Sequence, residues 1–126
     1  MKTQEILWFS RHQMTTDQKA ALTSKVGKVE ITHVNGTAPN VHVPFTAEVD
    51  GIGQEVAPLK ELVKEFDILA VVLPIGLLQQ LLPFAGERPV IQALNKRGFA
   101  GGENVTFEFQ RWDQVKKVEV VIVPFV

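Results

Sequence analysis

A chain of 126 residues, 45% apolar and 21% charged, has globular composition and the length of one domain, residues 1–126, with room for a single core. Thirteen Lys and Arg against fourteen Asp and Glu give a formal charge of −1, which argues against broad attachment to duplex nucleic acid and requires any anion site to be local. With no cysteine there is no disulfide, no thiolate catalysis and no Cys-ligated metal.

The N-terminus turns charged too soon for a secretory apolar segment. The longest apolar stretch, 68–82, contains Pro74 and Gly76 and falls short of the roughly 20 residues a bilayer span needs, so the expectation is a cytosolic protein without membrane contact.

The first strand is predicted over Glu5–Phe9. It empties into Ser10-Arg11-His12, and Thr15 and Gln18 then have capping-box spacing, which starts a helix over Thr16–Val26 that Gly27 ends in a left-handed conformation. A second strand, Lys28–Val34, stops at Asn35-Gly36. The stretch Thr37–Gly53, with Pro39, Pro44 and two glycines, reads as a long loop carrying His42. Val56, Leu59, Leu62, Val63 and Phe66 then recur at helical spacing.

Asp67–Leu73 is a continuous apolar run and reads as the central strand of a parallel sheet, covered on both faces. The helix Gly76–Ala85 carries Leu77, Leu78, Leu81, Leu82 and Phe84 around most of its circumference, so part of it is expected to meet a second subunit. A short strand, Pro89–Leu94, ends in the polar run Asn95-Lys96-Arg97-Gly98, and 105–123 reads as a terminal hairpin turning near Asp113-Gln114, with a short helix over Trp112–Lys117 as the alternative. The fold expected is α/β: a small Rossmann-like three-layer domain with a mostly parallel central sheet and a C-terminal antiparallel β-hairpin.

If the first four strands are parallel, their carboxyl-end exits share one edge, which gathers Ser10-Arg11-His12, Asn35-Gly36, Gly76 and Asn95-Lys96-Arg97. Helix starts near Thr15 and Gly76 would aim unpaired backbone amides at that edge, and Arg11, Lys96 and Arg97 add full charges. Such a set suits a phosphate or carboxylate. Taken singly, each basic residue is more often a solvated turn residue than a ligand contact. His12 has the intrinsic acidity for proton transfer, although a hydrogen-bonded helix-entry histidine is the commoner use. The three histidines show no metal-ligand spacing, so neither metal nor other cofactor is expected. Arg111-Trp112 suits base stacking or, more commonly, an interface. No Gly-x-Gly-x-x-Gly, Walker motif or Gly-x-Ser-x-Gly is present, which weakens dinucleotide, NTPase and serine-hydrolase readings.

The opening strand running into Ser10-Arg11-His12 and then Met14-Thr15-x-x-Gln18, and the strand from Asp67 ending in Leu73-Pro74 before a leucine-rich helix, resemble small stand-alone CRISPR-associated proteins related to CARF domains, some of which are ring nucleases. The match covers about a third of the chain. The resemblance implies a CARF-like domain that binds cyclic oligoadenylate, with Ser10, Arg11 and His12 touching the ligand across a two-fold homodimer. It implies cleavage without metal, in which a ribose 2′-hydroxyl attacks the adjacent phosphodiester, Arg11 and Lys96 stabilise the developing charge and His12 moves a proton. Thr15, Asn35, Gly36, Gly76, Asn95 and Arg97 complete the expected ligand contacts. Two alternatives stand beside it: a non-catalytic oligomeric module that binds nucleotide or protein, and a phosphosugar or acyl-phosphate enzyme of flavodoxin-like architecture.

Overall fold

The computed structural model describes residues 2–10, 12–35, 41–49, 52–73, 75–99, 105–116 and 123–125. Seven strands form one sheet: β1 (Gln4–Phe9), β2 (Val29–Asn35), β3 (Pro44–Val49), β4 (Ile52–Pro58), β5 (Ile68–Val71), β6 (Val90–Phe99) and β7 (Val105–Gln114), in the order β4-β3-β2-β1-β5-β6-β7. The helices are α1 (Thr16–Val26), α2 (Leu59–Leu62), which runs into a single 3-10 turn at Val63–Glu65, and α3 (Ile75–Ala85).

This overturns the expected mostly parallel Rossmann-like domain. The pairings β1–β2, β1–β5 and β5–β6 are parallel, whereas β2–β3, β3–β4 and β6–β7 are antiparallel, so the sheet is mixed and its four parallel strands are flanked by antiparallel ones. The helices are short, and α1 is the helix whose Leu22 fills the core on its face. The middle strand is β1, not the strand after Asp67, although both are buried along their lengths because parallel pairing puts neighbours on each side and helices on each face.

Four local expectations also change. The stretch read as a long loop contains β3 and β4, paired with Val49 opposite Ile52, and the sequence between those two is Asp50-Gly51, a strong two-residue hairpin signal. The helix expected to include Val56 begins at Leu59, since Pro58 disfavours helical backbone at the residue before it. β6 does not end at Leu94 but continues through Asn95 and Lys96, because its partner is β7. Trp112-Asp113-Gln114 therefore lie in a strand, which removes both the turn and the helix weighed there; of the last β run read over Val118–Val123, residues 118–122 lie outside the described residues and Val123 is not in a strand.

Alternation along the strands builds two cores. Leu7, Phe9, Val34, Leu69, Val71 and Val90 pack on one face with α2 and with Leu78, Leu81 and Ala85 of α3. Leu82 and Phe84, two of the five apolar residues counted around this helix, are partly buried against that same core. Ile6, Trp8, Ile68, Ala70, Ala93 and Trp112 pack on the other face with Leu22 of α1. Trp112 is thus a core residue rather than a stacking or interface residue: it meets Trp8 edge-on at 5.7 Å and its indole N–H donates to the Gln18 carbonyl at 3.0 Å.

Candidate functional site

Neighbouring strands β1 and β5 end level with one another, Phe9 beside Val71, and the Val72 amide donates to the Phe9 carbonyl at 3.0 Å. From there the chain parts. β1 leads through α1 on one face to β2, and β5 leads through α3 on the opposite face to β6. A crevice outside the carboxyl ends of parallel strands at such a reversal is where open α/β sheets place ligands.

The turn leaving β1 is fixed at several points. The Ser10 hydroxyl oxygen accepts from the His12 amide at 3.1 Å, the Trp8 indole N–H donates to the His12 carbonyl at 2.8 Å, and the Ser10 carbonyl accepts from Nε2 of His33 at 2.8 Å. Ser10 is only 4% exposed, so its contribution is to shape the turn. His12 is exposed. The predicted capping box is present: Thr15 Oγ1 accepts from the Gln18 amide at 3.2 Å and Gln18 Oε1 accepts from the Thr15 amide at 2.9 Å. The Thr15 side chain is therefore committed to the helix start. Gly27 ends α1 as predicted, but its φ of 86° and ψ of −151° lie in the extended, glycine-only region rather than the left-handed helical one.

Gly76 lies in the first turn of α3, which carries no acidic side chain; it is exposed, and a Cβ built on it would meet nothing within 4 Å. A side chain at position 76 would stand in open space. Asn35 closes β2 one residue beyond Val34, the register partner of Phe9, and so stands level with Ser10. Arg11 and Gly36 lie outside the described residues, and Arg97 is described only as a position in β6.

Asn95 and Lys96 are not in a turn. They lie in the β6–β7 ribbon, where Gln92 is level with Val71 at the end of β5 and the strand continues past it, with Lys96 exposed opposite Glu108. The ribbon is tied back to the β1 turn, since Phe109, the register partner of Asn95, and Met14 are both partly buried against the Trp8–Trp112 core. Counting strand spacings, Lys96 is roughly 14 Å from Ser10, about 10 Å across two strands and about 10 Å further along. A ligand touching both ends must therefore be larger than one phosphate.

His33 is the residue that sequence reasoning passed over. Its position became informative only once β2 was seated between β1 and β3. At the opposite edge of the sheet, Glu5 and Glu30 are register partners and Asp67 accepts from the Glu5 amide at 2.8 Å. The Glu5 carboxyl is held above the usual carboxylate range, chiefly by its side-chain hydrogen bond to Glu30, then by partial desolvation and by the charges of Glu30 and Asp67. Negative charge thus gathers at the end remote from the crevice. Among the described residues no group of three or more His, Asp or Glu is arranged to hold a metal ion, and no helix is long and apolar enough to cross a membrane.

Fold and site together define a mixed α/β protein whose candidate site lies at the carboxyl ends of its parallel strands. No protein-family model, curated protein or solved structure matches the chain.

Proposed function

We propose that this crevice binds a cyclic oligoadenylate, with His12 at one end and the Asn95–Lys96 arm of the ribbon at the other. The observation that carries the reading is the divergence of the β1 and β5 crossovers at one edge, over which an extended ribbon bearing Lys96 rises. Three features support an oligonucleotide: the span between the two ends, the open first turn of α3, and the resemblance of the Ser10–Gln18 and Asp67–Leu82 segments to stand-alone CRISPR-associated ring nucleases.

In the catalytic form of this proposal a ribose 2′-oxygen attacks the neighbouring phosphorus. Its proton passes to a base, the O2′–P bond forms, the P–O5′ bond breaks, and the 5′-oxygen gains a proton. A 2′,3′-cyclic phosphate and a 5′-hydroxyl result. His12 is the proton-transfer group and Arg11, its neighbour in the sequence, offsets the extra negative charge on that phosphorus, while Lys96 holds another phosphate of the ring. A two-fold homodimer that places two such crevices around one ring belongs to the same proposal.

Incubation with cyclic tetra- and hexa-adenylate, followed by chromatography, tests it. Linear products carrying cyclic phosphate ends are expected from a ring nuclease, and intact retained ligand from a binding protein. No interaction with either ring at micromolar protein contradicts the proposal.

A further inference from the structure

His33 is 8% exposed and sits on β2 between two register partners, Trp8 of β1 and Glu48 of β3. Its Nε2 is 2.8 Å from the Ser10 carbonyl oxygen. A carbonyl oxygen only accepts, so Nε2 carries the hydrogen and the neutral ring is the Nε2–H tautomer. Nδ1 is buried without a hydrogen-bond partner and faces Glu48 Oε2 at 3.5 Å.

Among the three bonds at Ser10 and His12, the Trp8 and Ser10 side-chain bonds come from β1 and the residue directly after it. The His33 bond comes from another strand and ties the turn to the sheet. We infer that His33 is the positioning residue of the β1 exit turn: through the Ser10 carbonyl it sets where His12 stands over the crevice. The inference rests on the proposed ligand site for its consequence, but the bond itself makes predictions in the free protein.

The substitution His33→Gln keeps an N–H donor at a reach close to that of Nε2, whereas His33→Leu removes it and leaves a buried carbonyl without its partner. In ligand-free protein followed by nitrogen-15 NMR, wild-type His33 is expected to show its ring hydrogen on Nε2. The His12 amide and Trp8 indole hydrogens are expected to exchange about tenfold faster in His33→Leu, the scale of one lost hydrogen bond, and at nearly the wild-type rate in His33→Gln. Binding of cyclic tetra-adenylate should weaken about tenfold in His33→Leu and recover in His33→Gln.

A ring with no hydrogen on Nε2, or a His33→Leu protein whose turn exchanges like wild type, overturns the inference. If His33→Leu does not fold, the wild-type tautomer and the His33→Gln exchange rates still decide. If the wild type ignores cyclic tetra-adenylate while the exchange and tautomer results hold, the ligand assignment fails and the positioning role stands.

Discussion

At the scale of single residues, the β1 exit is a turn whose polar groups satisfy one another. Trp8 joins this network to the core, since its ring is 1% exposed against Trp112 while its N–H reaches the His12 carbonyl. Trp8→Phe keeps most of the apolar area and removes the donor. Urea unfolding should show a loss of about 1–2 kcal/mol, and a loss no larger than that of an exposed substitution would mean that the bond contributes nothing. Thr15→Ala removes one half of the capping box and should cost about 1 kcal/mol by the same measurement. The capping box was legible because it is written in four consecutive residues. His33 was not, because its meaning depends on strands that the chain visits 23 residues earlier and 15 residues later.

Among the elements, the same distinction holds. β1, α1 and β5 announce themselves through local patterns: an apolar run, a cap with a terminating glycine, and a strand apolar on both faces. The β3–β4 hairpin was hidden by the prolines around it, although Asp50-Gly51 marks its turn in the sequence. β6 was cut short because Asn95-Lys96-Arg97 looks like a turn; in an antiparallel ribbon running past the end of β5, a polar side chain such as that of Lys96 faces solvent without cost. α3 offers a test in which stability and binding move in opposite directions. Gly76→Ala meets no neighbour and improves helix propensity, so stability should rise by about 0.5–1 kcal/mol, while the added methyl obstructs approach to the first-turn amides and should weaken cyclic oligoadenylate binding. Unchanged affinity would remove α3 from the site. The far end of α3 behaves differently: Gly86 has φ of 62°, and Gly86→Ala should destabilise by about 1 kcal/mol.

Over the whole molecule, three carboxylates meet at the amino-end edge of the parallel strands, Glu5, Glu30 and Asp67, while beyond the carboxyl-end edge Lys96 is exposed opposite Glu108. Because the folded state raises the Glu5 pKa, folding favours its protonated form. The stabilisation is fully present below the ordinary glutamate range and is lost as pH rises through the raised value, which leaves a repulsive carboxylate at neutral pH. Glu5→Gln should therefore raise the melting temperature at pH 7, with the advantage shrinking as pH falls below the carboxylate range. An advantage that persists at low pH would assign the effect to something other than charge.

The central claim is that distant turns and an extended ribbon meet around one guest at the carboxyl-end edge. Titrating nitrogen-15-labelled protein with cyclic tetra-adenylate and then cyclic hexa-adenylate tests it most directly. With at least one ring, saturable shifts are expected at His12, Gly76 and Lys96 together, and none at Glu5 or Glu30. Shifts at only one of those three positions, at the Glu5 edge, or nowhere on the protein would contradict it.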